Sequence, residues 1–177
     1  MRADARRNRS AVLDAGARLL AERPTASMQE IADASGVGRT TVYRHFPARE
    51  DLVSALLDQV VAEVVEVAET VFEMKGPASD ALRRLAMDTT SLGHRWRFLS
   101  SQRTEFLARL EQVDRDFLAW FEAKQRMGEL RDDLPSAWIQ DATRAILTAA
   151  GDEAEAIGAE EAGRLAGETL VSAFATR

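Results

Sequence analysis

The sequence predicts an all-helical protein built as an amino-terminal head and a larger body, and three observations carry that expectation. Leucine, alanine, glutamate and arginine dominate and only four prolines interrupt them, which is the composition of good helix formers. Apolar residues recur at helical spacing, with little β-branched alternation. Gln29–Phe46 reads directly as two short helices joined by a tight glycine turn.

The 177 residues, 46% of them hydrophobic, suffice for one domain or two small ones with a sizeable core. With no cysteine, a disulfide framework, a thiol nucleophile and a cysteine-ligated metal are excluded. No apolar run approaches a membrane span, and the start Met-Arg-Ala-Asp-Ala-Arg-Arg lacks an apolar secretion segment. A cytoplasmic protein without membrane partners is expected. The net charge is −6, but residues 1–50 hold nine Arg against six Asp or Glu, a balance of +3, which leaves −9 for residues 51–177. A basic head suits phosphate, although unevenness this modest also arises by chance.

Arg2, Arg6, Arg7 and Arg9 introduce a helix starting at Asp4 or Arg9 and ending at Glu22, with Val12, Ala15, Leu19 and Leu20 on one buried face. These arginines suit either nucleic-acid contact or a solvated terminus. Pro24 and Thr25 break the chain. Ser27 then opens a second helix, Met28–Ser35, and Glu30 three residues later completes a capping box. A helix amino-terminus is also a ready site for a phosphate oxygen, so Ser27 is a candidate for both roles. Gly36 ends that helix in a left-handed conformation, and Val37 plugs the angle before the next. The third helix runs from Gly38 or Arg39 to His45. Val37, Val42 and Phe46 face inward, leaving Arg39, Thr40, Thr41, Tyr43, Arg44 and His45 outward, the kind of hydrogen-bonding surface that a recognition helix presents to a major groove.

From Ala48 a long helix runs to about Lys75-Gly76-Pro77. It is apolar on more than one face (Leu52, Leu56, Val60, Val64, Val67 and Val71; Leu57, Val61, Val65 and Ala68), so it must pack on more than one side and is the expected link between head and body. Further helices are expected over Ala78–Gly93, Trp96–Arg109, Val113–Met127, Ser136–Ala150 and Glu160–Ala175, with Asp152–Glu155 in a solvated acidic connection.

Ile31-Ala-Asp-Ala-Ser-Gly-Val-Gly-Arg-Thr-Thr-Val-Tyr-Arg-His-Phe-Pro-Ala-Arg-Glu-Asp-Leu52 resembles the helix-turn-helix of the TetR family of bacterial transcriptional regulators, Ile-Ala-x-x-Ala-Gly-Val-x-x-x-Thr-Leu-Tyr-x-His-Phe-x-x-Lys-x-x-Leu. It departs at Ser35, at Val42 for leucine, at Arg49 for lysine, and in the preceding Pro24-Thr-Ala-Ser27, where many members carry a glycine and an aromatic residue. The resemblance implies a helix-turn-helix DNA-binding domain over residues 1–50 and a helical effector-binding and dimerisation domain over residues 51–177. It also implies a homodimeric repressor that binds a palindromic double-stranded operator and is released by a small molecule. On chemistry and resemblance together, Arg39 and Thr40 are the base readers: arginine pairs bidentately with guanine and the threonine methyl packs on thymine. By resemblance, Thr41, Tyr43 and His45 take backbone and mixed base contacts. His45 also suits a packing and capping role. Arg49 is expected to clamp a phosphate.

The resemblance further implies an effector pocket among the body's middle helices, with Trp96, Phe117, Phe121 and Trp138 as walls and His94, Arg97, Glu105 or Asp141 as orienting polar groups. The last two helices carry small apolar faces, from which Ala142, Ala145, Ile146 and Ala149, and Ala162, Ala166, Leu170 and Ala173, are expected in a dimeric four-helix bundle. Ordinary alanine-rich helices are the plain alternative.

No cofactor or metal is expected. The two histidines lack an accompanying carboxylate pair or metal-binding helix motif, so an enzyme built on the body is a weaker alternative. A DNA-coating protein of low sequence specificity is a stronger one, opposed by the acidic body and the hydroxyl-rich third helix.

Overall fold

A computed structural model describes residues 2–93, 95, 98 and 109–176, with side chains from residue 4 onward. Among these residues the chain forms eight helices: α1 (Arg2–Glu22), α2 (Met28–Ser35), α3 (Arg39–His45), α4 (Arg49–Glu73), α5 (Ala78–Ser91), α6 (Glu111–Arg126), α7 (Ser136–Ile157) and α8 (Ala159–Phe174). The helix expected over Trp96–Arg109 lies almost wholly outside the described residues. No described helix is long and apolar enough to cross a membrane.

α1, α2 and α3 close over the first turns of α4. Val12, Leu13 and Leu20 of α1, Ile31 and Ala32 of α2, Val42 and Phe46 at α3, and Leu52 and Leu56 of α4 are all buried in one cluster. Gly16 lets α1 approach closely, since a Cβ there would already stand 3.4 Å from side-chain carbons of both Leu52 and Leu56. The sequence places these residues at helical spacing, and burying them offsets the cost of ordering helices too short to persist alone.

α4 then leaves the head and enters the body. Along it Leu57, Val60, Ala68 and Val71 are buried, so both of its apolar faces are covered, as the sequence requires. Two ion pairs hold it from the side: Arg109 reaches Asp58 and, at 3.2 Å, the Ser54 hydroxyl, and Arg95 Nε lies 3.2 Å from Glu63 Oε2.

In the body α8 packs against α5 and α7, α6 against α7 and α4, and α5 against α4. The turn over residues 128–135 is anchored by Gln125, whose amide nitrogen donates at 2.8 Å to the carbonyls of Arg131 and Leu134. Glu129 in that turn accepts the Ala78 amide at 2.6 Å, capping α5, and pairs with Lys124 at 3.0 Å. The chain end returns beside it, with Arg131 N donating to Phe174 O and Thr176 N to Glu129 O. One expectation is corrected here: α7 continues two turns past Ala150, so Asp152–Glu155 is helical rather than a connection. Gly151 sits buried inside the helix, and Gly158 with φ 89° ends it.

Candidate nucleic-acid interface and body cavity

The α2–turn–α3 unit is fixed by local chemistry. The Glu30 amide donates to Ser27 Oγ at 3.3 Å, and Glu30 Oε2 accepts from the Ser27 amide and hydroxyl, both at 2.8 Å. Gly36, at φ 67°, turns the chain out of α2. Ser35 then links the helices, donating to Ala32 O at 2.8 Å and accepting the Val37 amide at 3.2 Å. That gives the departure from the usual small residue a role in the turn.

Ser27 takes the capping role expected of it, with its hydroxyl proton held by Glu30. Arg23, 2.7 Å from Glu30, completes the cluster. The Ser27 backbone amide foremost, then the Ser27 hydroxyl and Arg23, hold the Glu30 carboxyl down at about 2. A carboxylate whose folded pKa is depressed stabilises above its unfolded pKa and loses that contribution as pH falls through the folded value. The cap is therefore expected to stay intact at neutral pH and to loosen between about pH 4.5 and about 2. An NMR titration of the Glu30 side-chain carboxyl checks this: a midpoint near 4.5 would mean that the box does not hold in solution.

On α3 the exposed residues are Arg39, Thr40, Tyr43 and Arg44, while Thr41 and His45 are half-buried and Val42 is buried. Positions 39, 40, 43 and 44 fall on one side of a helix, so they form a single outward face, with Tyr43 45% exposed. Arg44 was not singled out from sequence because its direction depends on helix phase, and the structure puts it on this face. His45 differs from the expectation of phosphate contact. Its Nε2 is enclosed with no hydrogen-bond partner and its ring lies 6.3 Å from that of Phe46, a packing position at the helix end. Arg9, one of the amino-terminal arginines, stacks its guanidinium 5.5 Å above the Phe46 ring.

Arg49 also takes another role. Its Nη2 donates to Pro24 O and its Nε lies 3.4 Å from Ala26 O, so the guanidinium grips the α1–α2 loop. Two of the four departures from the family pattern are thereby joined: a forked side chain at position 49 spans two carbonyls of the Pro24–Ser27 segment, which a single ammonium matches poorly. Arg49→Ala, which removes both the fork and its charge, is expected to cost about 1 kcal/mol, read as a lower melting temperature with an unchanged salt slope of DNA binding. A slope reduced by one charge at an unchanged melting temperature would restore the phosphate clamp.

In the body a cavity of ≈ 640 Å³, its open mouth included, lies between α4, α5, α6 and α7. Its apolar wall includes Val64 and Val67 of α4, Leu85 of α5, Phe117 and Phe121 of α6, and Leu147 of α7, and its polar groups are Thr89, Asp114, Gln140, Thr143 and Arg144. Phe117 and Phe121 are thus at the expected place, their ring centroids 6.3 Å apart. Trp138 is not: it is 61% exposed on the outer side of α7. Asp141 is exposed beside Arg144 and away from the cavity lining. His94, Trp96, Arg97 and Glu105 lie outside the described residues. The polar lining that sequence reasoning missed, Gln140, Thr143 and Arg144, shares one face of α7 with Leu147 at spacings of three and four. That pattern was visible, but nothing in it separated a cavity face from a packed one.

The small faces of the last helices also divide differently from the expectation. Ala162, Ala166 and Leu170 are buried because α8 presses its small-residue stripe onto α5, where Gly163 and Gly167 meet Met87 and Arg83. Ala142, Ile146 and Ala173 are half-buried and Ala149 is exposed. Outside this packing, Ile146, Ala149, Ile157, Leu165 and Thr169 border a shallow apolar groove along α7 and α8, with Ala162 and Ala166 in its lining.

A glycine-turned helix pair presenting arginines and hydroxyls, on a helical body with a cavity, is the architecture of a helix-turn-helix regulator. Residues 12–56 match the family model for bacterial regulatory proteins of the tetR family. The chain is 42% identical over 87 residues to the HTH-type transcriptional repressor LfrR of Mycolicibacterium smegmatis, covering 49% of this chain and 46% of that protein. It is 35% identical over 65 residues to the HTH-type transcriptional regulator EthR of Mycobacterium tuberculosis, 36% of this chain and 30% of that one. These alignments thus span half or less of the curated relatives. The crystal structure of LfrR from Mycobacterium smegmatis in complex with proflavine matches 97% of this chain and 98% of that one, with a TM-score of 0.75 and 28% identity. Residues 12–56 thus carry the match to the tetR family of bacterial regulatory proteins, and the chain has the fold of TetR-like transcriptional regulators.

Proposed function

We propose that the protein is a sequence-specific transcriptional repressor that binds a palindromic operator as a homodimer and lets go when a small molecule enters the body cavity. The observation that carries this reading is the outward face of α3, with Arg39, Thr40, Tyr43 and Arg44 held together by a packed head. In this assignment residues 1–50 bind DNA and residues 51–177 hold the effector and the dimer contact. Arg39 and Thr40 read bases, Thr41 and Tyr43 support them, and Arg44 joins the set. A second copy of the chain covers the α7–α8 groove, with Ile146, Ala149, Ile157 and Leu165 meeting their twofold mates, and Trp138 extends the outer side of α7 at one end. Two recognition helices then fall on successive turns of duplex.

α4 is the mechanical link. It lies under the head at Leu52 and Leu56 and lines the cavity at Val64 and Val67. An effector releases DNA only by preferring a body in which α4 spaces the heads wrongly, since equal affinity for both states shifts nothing. That LfrR was crystallised with proflavine supports a ligand role for the body.

Selection of bound duplexes from a random pool tests the reading, followed by titration of the winner against a scrambled duplex at two salt concentrations. The expected result is a palindrome bound at least ~1000-fold tighter than the scramble. Enrichment without symmetry would remove the dimer, and no enrichment would favour the coating alternative.

A further inference from the structure

We propose that the body cavity takes an uncharged, largely apolar ligand, aromatic or alicyclic, that carries one hydrogen-bonding oxygen or nitrogen directed at the Thr143 hydroxyl. This rests on the effector reading above and names the class of molecule that the site fits.

Among the described residues, the lining holds a buried hydroxyl that has no partner. Thr143 is 4% exposed, and its Oγ1 is buried without any hydrogen bond. A threonine inside a helix has a ready alternative, because its hydroxyl can donate to the carbonyl four residues earlier. Thr70, Thr90, Thr148 and Thr169 all do so here, at 2.8–2.9 Å. Thr143 does not. A buried hydroxyl left unmade is costly, and one that declines its own helix is available to a group in the cavity it lines.

The charged groups and the amide of the described lining are already engaged, which sets the charge of the occupant. Asp114 Oδ1 receives Arg144 Nη2 at 2.8 Å, and Arg144 also lies 3.5 Å from Asp141. Gln140 gives its amide nitrogen to the Asp114 carbonyl at 2.9 Å. A ligand carboxylate would have to take Arg144 from two carboxylates, and a ligand cation would have to take Asp114 from Arg144. Either exchange breaks a pair that is only partly exposed to water. Apart from the Thr89 hydroxyl, the rest of the described lining, from Val64 to Leu147, is aliphatic or phenyl and offers burial without a charge partner. An apolar body with one neutral polar group matches both halves of the wall.

Calorimetric titration of the full chain with four probes of one skeleton tests the inference: naphthalene, 2-naphthol, 2-naphthoate and 2-naphthylmethylammonium. 2-Naphthol is expected to bind about tenfold tighter than naphthalene, the size of one neutral hydrogen bond, and both charged probes more weakly than 2-naphthol. Thr143→Val should fold, because it exchanges an unpartnered hydroxyl for a methyl group, and should bring 2-naphthol down to the affinity of naphthalene. Thr143→Ser should keep most of the tenfold advantage. A charged probe that equals or exceeds 2-naphthol overturns the class, as does failure of every probe to bind. An unchanged naphthol-to-naphthalene ratio in Thr143→Val overturns the role of the hydroxyl. Operator binding with and without saturating 2-naphthol is measured separately. Tight probe binding that leaves the operator bound would defeat the effector reading while the ligand class stands.

Discussion

Arg39→Ala is expected to weaken operator binding by about 2–6 kcal/mol while leaving binding to random duplex within about threefold. One arginine paired to a base edge is worth about 1–3 kcal/mol, and a twofold dimer presents the residue once in each half-site, which doubles the loss. Arg39 is exposed at the first turn of α3. None of the folded head's buried contacts depends on it, since the cluster beneath is made by Val42, Phe46 and their neighbours. Loss of affinity without loss of melting temperature is therefore the signature. The selection experiment on the variant adds a second readout: the base preference opposite residue 39 should relax while the rest of the palindrome persists. Equal losses on operator and random duplex would reassign Arg39 to the phosphate backbone, where neutralised charges set the salt slope and carry no sequence information.

The head was legible because its signals are local. A serine followed three residues later by a glutamate, a glycine after the helix, and Val42 and Phe46 four residues apart each specify geometry within one or two turns, and the structure keeps all of them. The roles of His45 and Arg49 were less legible because each is decided by partners that the motif does not contain or does not assign. His45 turns its Nε2 inward beside Phe46. Arg49 is captured by carbonyls 23 and 25 residues earlier in the chain. A motif gives the position of such a residue, but not which neighbour wins its hydrogen bonds.

The body was legible as helices and much less as surfaces. Phe117 and Phe121 could be placed in a wall because both are large, apolar and one turn apart. Trp138 has the same chemistry and faces out, since one residue of helical phase at the start of α7 separates the buried side, Ile139 and Thr143, from the outer side. The small residues of α8 misled for a related reason. A stripe of alanine and glycine says that something approaches closely, but not whether the partner is another copy or the same chain. Here it is α5, at a distance that leaves no room for a side chain.

That distance sets the largest stability effect expected in the body. A Cβ added at Gly163 would stand 2.5 Å from Thr90 Oγ1, 2.9 Å from Met87 Sδ and 3.1 Å from Met87 Cα. The methionine side chain can move, but the other two atoms cannot move cheaply. Thr90 is buried and bonded to Ala86 O at 2.9 Å and Met87 O at 3.0 Å, and the third contact is backbone. One turn on, Gly167 brings its own position to 3.1 Å from Arg83 Cα, so α8 cannot relieve the clash by tilting toward its carboxyl end. Replacing a helical glycine gains a few tenths to about 1 kcal/mol in propensity, against about 1–3 kcal/mol or more for overpacking. For Gly163→Ala overpacking outweighs the propensity gain by about 1 kcal/mol. For Gly163→Val, with two further carbons in the same gap and a smaller propensity gain, overpacking wins by about 3 kcal/mol, a fall of about 6–12 °C in melting temperature for a chain of this size. Gly167→Ala, whose contacts are longer, should lose less than Gly163→Ala. Displacing α8 also moves Leu165 and the groove, so Gly163→Val should weaken self-association in sedimentation experiments carried out below its melting point. A Gly163→Val protein as stable as the parent would mean that α8 stands farther from α5 in solution, and the small-residue stripe would again be open to a second copy of the chain.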